Sequence, residues 1–189
     1  VFINLPEGVR AAVISGDGSH FCAGLDLSEL VARDIHSGVL HSRMWHATLE
    51  KLQFAPVPVV AVLHGATIGG GLEIAAAAHI RVAERNAYYG LPEGQRGIFV
   101  GGGGSVRLPR LIGASRAMDM ILTGRPVDAA EALAMGLANR VVADGAARGA
   151  AEAVAAEVAR LPRDCRRHDR LLAAGPAARL VVDAPRLVP

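Results

Sequence analysis

Short apolar runs alternate with helical patterns along the first 160 residues of the chain. Four runs of this kind predict strands, because they are brief, rich in β-branched residues and bounded by glycine, proline or charged residues. They are Arg10–Gly16 (RAAVISG), Val57–Gly65 (VPVVAVLHG), His79–Glu84 (HIRVAE) and Ala138–Val142 (ANRVV).

Helical periodicity or a high alanine content marks the segments between these strands. The predicted helices are His41–Phe54, Gly69–Ala78, Ser115–Gly124, Val127–Gly136 and Gly145–Leu161. Asp26 or Ser28 is a candidate N-cap for a further helix. Gly124 and Gly136 are placed as helix C-caps, whereas Tyr88–Ser105 is glycine-rich and predicts a loop. Alternating strands and helices indicate an α/β fold with parallel pairing.

Composition and charge remove several classes of function. The net charge is only +2 and the single lysine is Lys51, so nothing favours nucleic acid as a partner. The apolar window at residues 59–78 contains Glu73 and four glycines, which suits a buried strand and helix better than a membrane span. Two cysteines form no disulfide framework or metal set, and the start of the chain lacks a signal-peptide pattern. We therefore expect no membrane or nucleic-acid partner and a cytoplasmic location.

The stretch His64–Ile74 (HGATIGGGLEI) carries the strongest chemical signal. Its glycines do not have the G-x-G-x-x-G spacing of a dinucleotide-binding loop, and no lysine follows as a Walker loop requires. A glycine-lined helix N-terminus can present unpaired amides to developing negative charge, as half of an oxyanion hole does. Tight packing of helix against strand explains the same glycines, and from the motif alone both interpretations stay open.

Two glutamates strengthen the catalytic interpretation. Glu73 lies in the first turn of its helix, and Glu93 follows Pro92 in a glycine-bounded loop. Loops that flank one strand can bring two carboxylates together, as paired acid–base chemistry requires.

The combination of four segments resembles the crotonase, or enoyl-CoA hydratase/isomerase, superfamily. They are Phe21–Leu27 (FCAGLDL), His64–Ala75 (HGATIGGGLEIA), Gly90–Gly113 and Met120–Val142 (MILTGRPVDAAEALAMGLANRVV). The resemblance extends over about residues 10–160 in the family's order and spacing. It implies a ββα spiral with parallel strands, here starting close to the first strand as if truncated at the N-terminus, with helices at the C-terminal end.

The resemblance also implies a site for an acyl-CoA thioester. The amides of Leu25 and Gly70 would bind the thioester oxygen, and Glu73 and Glu93 would be the catalytic pair. The implied substrate-binding residues are Ala23, Gly24, Leu25, Asp26, Leu27, Gly69 and Gly70. No separate cofactor is implied, because coenzyme A is part of the substrate.

Retention of both glutamates favours hydration of a 2-enoyl-CoA, in which they hold a water between them. Glu73 would accept a proton from that water, and Glu93 would deliver one to the α-carbon. Two alternatives remain: an enoyl-CoA isomerase that uses one base, and a non-catalytic acyl-CoA-binding protein on the same fold.

Several other polar residues are given structural roles. His64 is interpreted as a turn-stabilising side chain and Cys22 as a packed thiol. Arg96 lies close to Glu93 in sequence and could pair with it, which would lower the pKa of Glu93. The glycines of Gly101–Ser105 could suggest a phosphate-binding nest, but the resemblance implies a turn that enters a helix.

The domain organisation predicted is a spiral core over residues 1–143 and a C-terminal part over 144–189. The latter combines a helix with an Arg/Pro-rich tail that shows no sustained periodicity. By resemblance we expect a homotrimer or hexamer.

Overall fold

A computed structural model of the protein describes residues 5–26, 34–162 and 165. Its strands are β1 (Ala12–Ser15), β2 (Val59–Leu63), β3 (Ala66–Ile68), β4 (Ile80–Glu84), β5 (Tyr88–Gly90), β6 (Val127–Asp128) and β7 (Arg140–Val142). Its helices are α1 (Ile35–Gln53), α2 (Gly70–Ala77), α3 (Gly104–Ile112), α4 (Ala114–Thr123), α5 (Ala129–Met135) and α6 (Ala147–Arg160), with a 3₁₀ turn at Glu93–Arg96.

The strands form two sheets. The larger is parallel throughout in the order β1-β2-β4-β7, with Ala12 opposite Val59 and Val60 opposite Ile80. The smaller has the order β3-β5-β6, in which β3 and β5 are parallel and β6 is antiparallel. The α/β class with parallel strands is confirmed.

A repeated ββα unit connects the two sheets. In the second unit β2 joins the larger sheet, β3 joins the smaller sheet and α2 follows; β4, β5 and α3 repeat the order. The first unit is similar, because β1 is followed by a single bridge from Cys22 to Thr67 and later by α1. The chain therefore advances as a spiral, and the ends of successive strands lie side by side.

Strand β2 shows why its sequence is a continuous apolar run. Val59, Ala61 and Leu63 face the main core, and Val60 and Val62 face the opposite side. On that side they meet α6, whose buried residues recur at helical spacing: Ala147, Ala151 and Val154. Since side chains alternate across a strand and both faces are covered, every position is apolar.

The predicted strands all occur, and so do the five predicted helices, although α1 begins at Ile35 rather than His41. Gly124 and Gly136 cap α4 and α5 in the left-handed conformation, as predicted. The pattern-based loop assignment is wrong in part, because Tyr88–Gly90 forms β5 and α3 begins at Gly104. This start agrees with the turn into a helix that the family resemblance implies.

Some predictions concern residues that the structure does not describe. Leu27 and the helix proposed after Asp26 or Ser28 lie outside the described residues, as does nearly all of the chain after residue 162. The domain division at residue 143 stays a prediction. Within residues 5–26 and 34–162, no helix is both long and apolar enough to cross a bilayer.

Candidate active site

The predicted site residues follow three neighbouring strand positions of the smaller sheet. Leu25 comes after the Cys22 bridge, Gly70 comes two residues after the end of β3, and Glu93 comes shortly after β5. These segments are parallel and adjacent, so their carboxyl ends meet at one edge of the sheet. Residues separated by almost 70 positions are thus brought into one cluster.

The Leu25 and Gly70 amides lie close together at this edge. A methyl group placed on Gly70 would be 3.9 Å from the Leu25 nitrogen, and one placed on Gly24 would be 3.6 Å from the Gly70 nitrogen. Gly24 has a φ of +100° and Gly69 a φ of +55°, so the close approach uses backbone conformations that favour glycine. Gly70 opens α2, where the first amides have no acceptor within the helix.

Glu73 is buried in the first turn of α2, with 5% of its surface exposed. Its Oε1 atom accepts hydrogen bonds from the amides of Gly102 and Gly104, both at 2.8 Å. Burial raises the pKa of Glu73 above its ordinary value, and these two amides oppose the rise. The charges of Arg107 and His46 also favour the ionised form.

Glu93 opens the 3₁₀ turn and is 8% exposed. Its Oε2 atom is buried without a hydrogen-bond partner among the described residues. Burial is the main reason that the pKa of Glu93 is raised, and the negative charge of Glu73 raises it further. The expected pairing with Arg96 is therefore wrong: Arg96 is exposed, and the pKa of Glu93 moves up rather than down.

The glycines of Gly69–Gly71 have different roles. A methyl group on Gly71 would overlap the backbone carbonyl of Cys22, so this glycine allows tight packing between segments. A methyl group on Gly69 would lie 3.1 Å from Oε1 of Glu93, so Gly69 leaves room for that carboxylate. Tight packing is thus confirmed at Gly71, whereas the oxyanion-hole interpretation of this glycine run stays a prediction.

The loop that would follow the substrate is more open than the glutamates. Ala23 and Asp26 are exposed, whereas Gly24 and Leu25 are half-buried. His64 Nε2 lies 3.2 Å from the Gly18 carbonyl, which fits the turn-stabilising role predicted for it. No group of three histidine, cysteine or acidic side chains suited to a metal ion occurs among the residues described.

Sequence reasoning missed the residues that surround Glu73. Gly102 and Gly104 were treated as part of a turn, and buried Arg107 was not singled out. Trp45, on α1, was missed as well: the end of its indole ring would be 3.6 Å from a methyl group on Gly70. The one available signal was that Trp45 is the chain's single tryptophan and lies at helical spacing from His41. In the structure Trp45 Nε1 donates a hydrogen bond to His41 Nε2 at 3.1 Å.

Comparison with known proteins agrees with this arrangement. The family model described as enoyl-CoA hydratase/isomerase matches residues 2–170. A Bacillus subtilis (strain 168) protein named "Probable enoyl-CoA hydratase" is 40% identical over 133 residues, covering 70% of this chain and 52% of that protein. The fatty acid oxidation complex subunit alpha of Shewanella frigidimarina is 44% identical over 133 residues, covering 69% of this chain and 19% of the relative.

Solved structures give the same result. A Rhodopseudomonas palustris protein with a provisional enoyl-CoA hydratase name superimposes with a TM-score of 0.85 at 54% identity, over 88% of this chain and 64% of that one. The enoyl-CoA hydratase of Bacillus anthracis gives a TM-score of 0.81 at 34% identity, over 89% of this chain and 65% of its own. The chain spans about half to two thirds of the length of the B. subtilis, R. palustris and B. anthracis proteins. It belongs to the enoyl-CoA hydratase/isomerase family.

Proposed function

We propose that the protein adds water across the double bond of a 2-enoyl-CoA thioester, as an enoyl-CoA hydratase-like lyase. The observation that carries this proposal is a cluster at the sheet edge, where the Leu25 and Gly70 amides lie close together and Glu93 Oε1 approaches Gly69. The second buried carboxylate, Glu73, lies in the first turn of the helix that Gly70 opens. The names of the B. subtilis and B. anthracis relatives support the class of substrate.

The amides of Leu25 and Gly70 act on the thioester oxygen. When water attacks the β-carbon, electrons of the double bond move toward the carbonyl and negative charge develops on that oxygen. Two N–H donors fixed in place stabilise this enolate without reorganising, and each such donor typically lowers the barrier by about 3–4 kcal/mol.

The glutamates move the protons. The Glu73 carboxylate accepts a proton from the water as its oxygen bonds to the β-carbon, and Glu93 gives a proton to the α-carbon. The product is a 3-hydroxyacyl-CoA, and the glutamates have exchanged protonation states, so a proton must return from Glu73 to Glu93 before the next turnover. One proton leaves the water and one reaches carbon, which balances the addition.

The electrostatic environments support this assignment of roles. Burial raises the pKa of Glu73, and two amide donors and the charge of Arg107 oppose that rise, which suits a carboxylate that accepts a proton. Glu93 has an unpartnered buried oxygen and a pKa raised by burial and by Glu73, which suits an acid that holds its proton.

The substrate itself brings the coenzyme. The proposal requires no further cofactor, because the CoA thioester is the activating group, and we assign the loop of residues 23–27 to binding it. Exposed apolar side chains such as Phe99 and Leu122 are available for contact between copies in the homotrimer or hexamer that we propose. The two free cysteines, Cys22 and Cys165, suit the proposed cytoplasmic location.

Double-bond isomerisation is the second candidate. A Penicillium crustosum relative named "Enoyl-CoA isomerase/hydratase claC" is 45% identical over 141 residues, covering 73% of this chain and 16% of that protein. An isomerase needs one base to move a proton between two carbons, and either glutamate could serve.

The test is a turnover screen over 2-enoyl-CoA and 3-enoyl-CoA thioesters of increasing chain length. Hydration removes the conjugated enoyl absorbance of 2-enoyl substrates and yields a 3-hydroxyacyl-CoA. A gain of that absorbance from 3-enoyl substrates alone would replace hydration with isomerisation. Acyl-CoA binding without any turnover would favour a binding protein.

A further inference from the structure

Arg107 is a buried cation that neither binds substrate nor transfers a proton in the proposed reaction. It is the fourth residue of α3 and is 8% exposed. Its Nε atom donates to Oε1 of Gln53 on α1 at 2.8 Å, and its Nη1 atom donates to the Gly102 carbonyl at 3.0 Å. One guanidinium therefore joins the end of α1 to the glycine loop before α3.

Gly102 links this cation to Glu73. The carbonyl of Gly102 accepts from Arg107, while its amide donates to the Glu73 carboxylate. Gly103 has a φ of +95°, and a methyl group there would overlap Nη1 of Arg107, so a side chain at this position would displace the guanidinium. The loop, the cation and the carboxylate form one connected unit.

We propose that Arg107 is a positioning residue for Glu73: it holds the Gly102–Gly104 loop in the conformation that orients the carboxylate, and it places a positive charge near that carboxylate. This inference rests on the function proposed above, in which Glu73 is the base. Arg107 touches neither substrate nor water in this role and acts through the loop.

Charged groups from three directions face Glu73. Arg107 approaches from α3 and His46 from α1, and both favour the ionised form; burial and the nearby Glu93 carboxylate of the 3₁₀ turn work against charge in this cluster. Without the Arg107 charge, the pKa of Glu73 should rise further. An arginine too distant from Glu73 to act on it would leave the titration of Glu73 unchanged.

Four variants separate charge, geometry and packing. Arg107→Gln removes the charge, and Arg107→Lys keeps it but cannot hold two acceptors in a planar fork. Gln53→Ala removes one acceptor and leaves the guanidinium in place. The matched control is Arg110→Gln, which removes an exposed arginine from the same helix.

The first measurement is a carboxyl NMR titration of ¹³C-glutamate-labelled protein without ligand, with Glu73 assigned by its loss in Glu73→Gln. We expect the Glu73 titration to move to higher pH in Arg107→Gln and to stay near that of the unmodified protein in Arg107→Lys and Arg110→Gln. Coincident titrations in Arg107→Gln and Arg110→Gln would overturn the proposal. This measurement needs no turnover, so it stands even if the hydration screen fails.

The second measurement is steady-state hydration. We expect Arg107→Gln to lower kcat by up to about 10²-fold, with KM nearly unchanged, because small misplacement of a catalytic group has effects of this size. Arg107→Lys should recover part of the loss. Should Arg107→Gln fail to fold, Gln53→Ala carries the test: a several-fold loss of kcat with an unmoved Glu73 titration supports the proposal, and unchanged kcat contradicts it.

Discussion

Two glycine runs border the candidate site, and they direct their amides to different partners. In Gly69–Gly71 the Gly70 amide lies beside that of Leu25 at the sheet edge, and the end of the Trp45 ring comes close to Gly70. In Gly101–Gly104 the amides of Gly102 and Gly104 bind the Glu73 carboxylate. The first run faces the place proposed for substrate, whereas the second holds a side chain of the protein.

The two runs also differ in which atoms pack against their glycines. Gly71 packs against the Cys22 backbone, which cannot move without disturbing the sheet. Gly102 packs against the end of the Glu73 side chain, which can move at little structural cost but with loss of orientation. Similar composition therefore serves architecture in one run and alignment of a carboxylate in the other.

The largest expected effect comes from the carboxylates that the two runs accommodate. Glu73→Gln and Glu93→Gln should each lower hydration by about 10²–10⁴-fold, the usual contribution of a general acid or base. Binding of acyl-CoA, measured by calorimetry, should persist because its proposed contacts are mainly backbone. The double variant should lose much less than the product of the single losses, since both groups act on one water.

Glu152→Gln is the control for this pair, because Glu152 is exposed on α6. Near-normal hydration in Glu73→Gln together with complete loss in Glu93→Gln would contradict the role of Glu73 as water-activating base. It would favour a mechanism that uses one base, Glu93, instead of the pair.

The sequence predicted the secondary structure around Gly69–Gly71 better than that around Gly101–Gly104, for a physical reason. A continuous apolar strand such as β2 and an alanine-rich helix such as α2 are local patterns. Helix α3 contains Pro109 and begins within glycines, so its local preference is poor. It forms because Leu108 and Ile112 are buried in the main core.

The contacts of the site are harder still to predict, because they join residues that are far apart in the sequence. Glu73 and Gly102 are 29 positions apart, and Arg107 and Gln53 are 54 apart. The residues themselves suggested the glutamate pair, and the family resemblance supplied the Leu25 and Gly70 amides as predictions. Their supporting contacts follow only from how the spiral stacks α1, α2 and α3.

A methyl group at Gly102 tests the second run. It would lie 2.5 Å from Oε2 of Glu73, so Gly102→Ala should turn the carboxylate away and lower kcat by roughly 10–10²-fold. Urea unfolding should change little, because a side-chain end yields easily. Gly101→Ala is the control, since its methyl group would meet the Phe99 ring at 3.3 Å and not Glu73. Equal kcat in the two variants would mean that the second run does not align Glu73.

A methyl group at Gly71 tests the first run by stability instead. Because it would overlap the Cys22 carbonyl, Gly71→Ala should lower the free energy of unfolding by about 1–3 kcal/mol, as overpacking usually does. Gly149→Ala is the control: it lies in α6 with open space around it and should stabilise the helix by about 0.5–1 kcal/mol. Unfolding free energies that agree for Gly71→Ala and the unmodified protein would contradict the packing role.

The smallest expected effect is a pH dependence of stability that distinguishes the two carboxylates. The pKa of Glu93 is raised in the folded protein by burial and by the charge of Glu73. Between the unfolded pKa, about 4.3, and the folded value, the folded state therefore holds more protons, and stability falls as pH rises. The Glu93→Gln variant does not have this loss. Its free energy of unfolding, relative to that of the unmodified protein, should therefore rise through that pH interval and then level off. Glu73→Gln should gain less stability, because it also gives up a charged acceptor of two amide hydrogen bonds.

Urea unfolding from pH 4 to pH 8, with Glu152→Gln as control, measures both differences. A Glu93→Gln curve that runs parallel to the unmodified protein's would mean that Glu93 is not kept protonated by its surroundings, and its proposed role as the acid would lose its electrostatic basis.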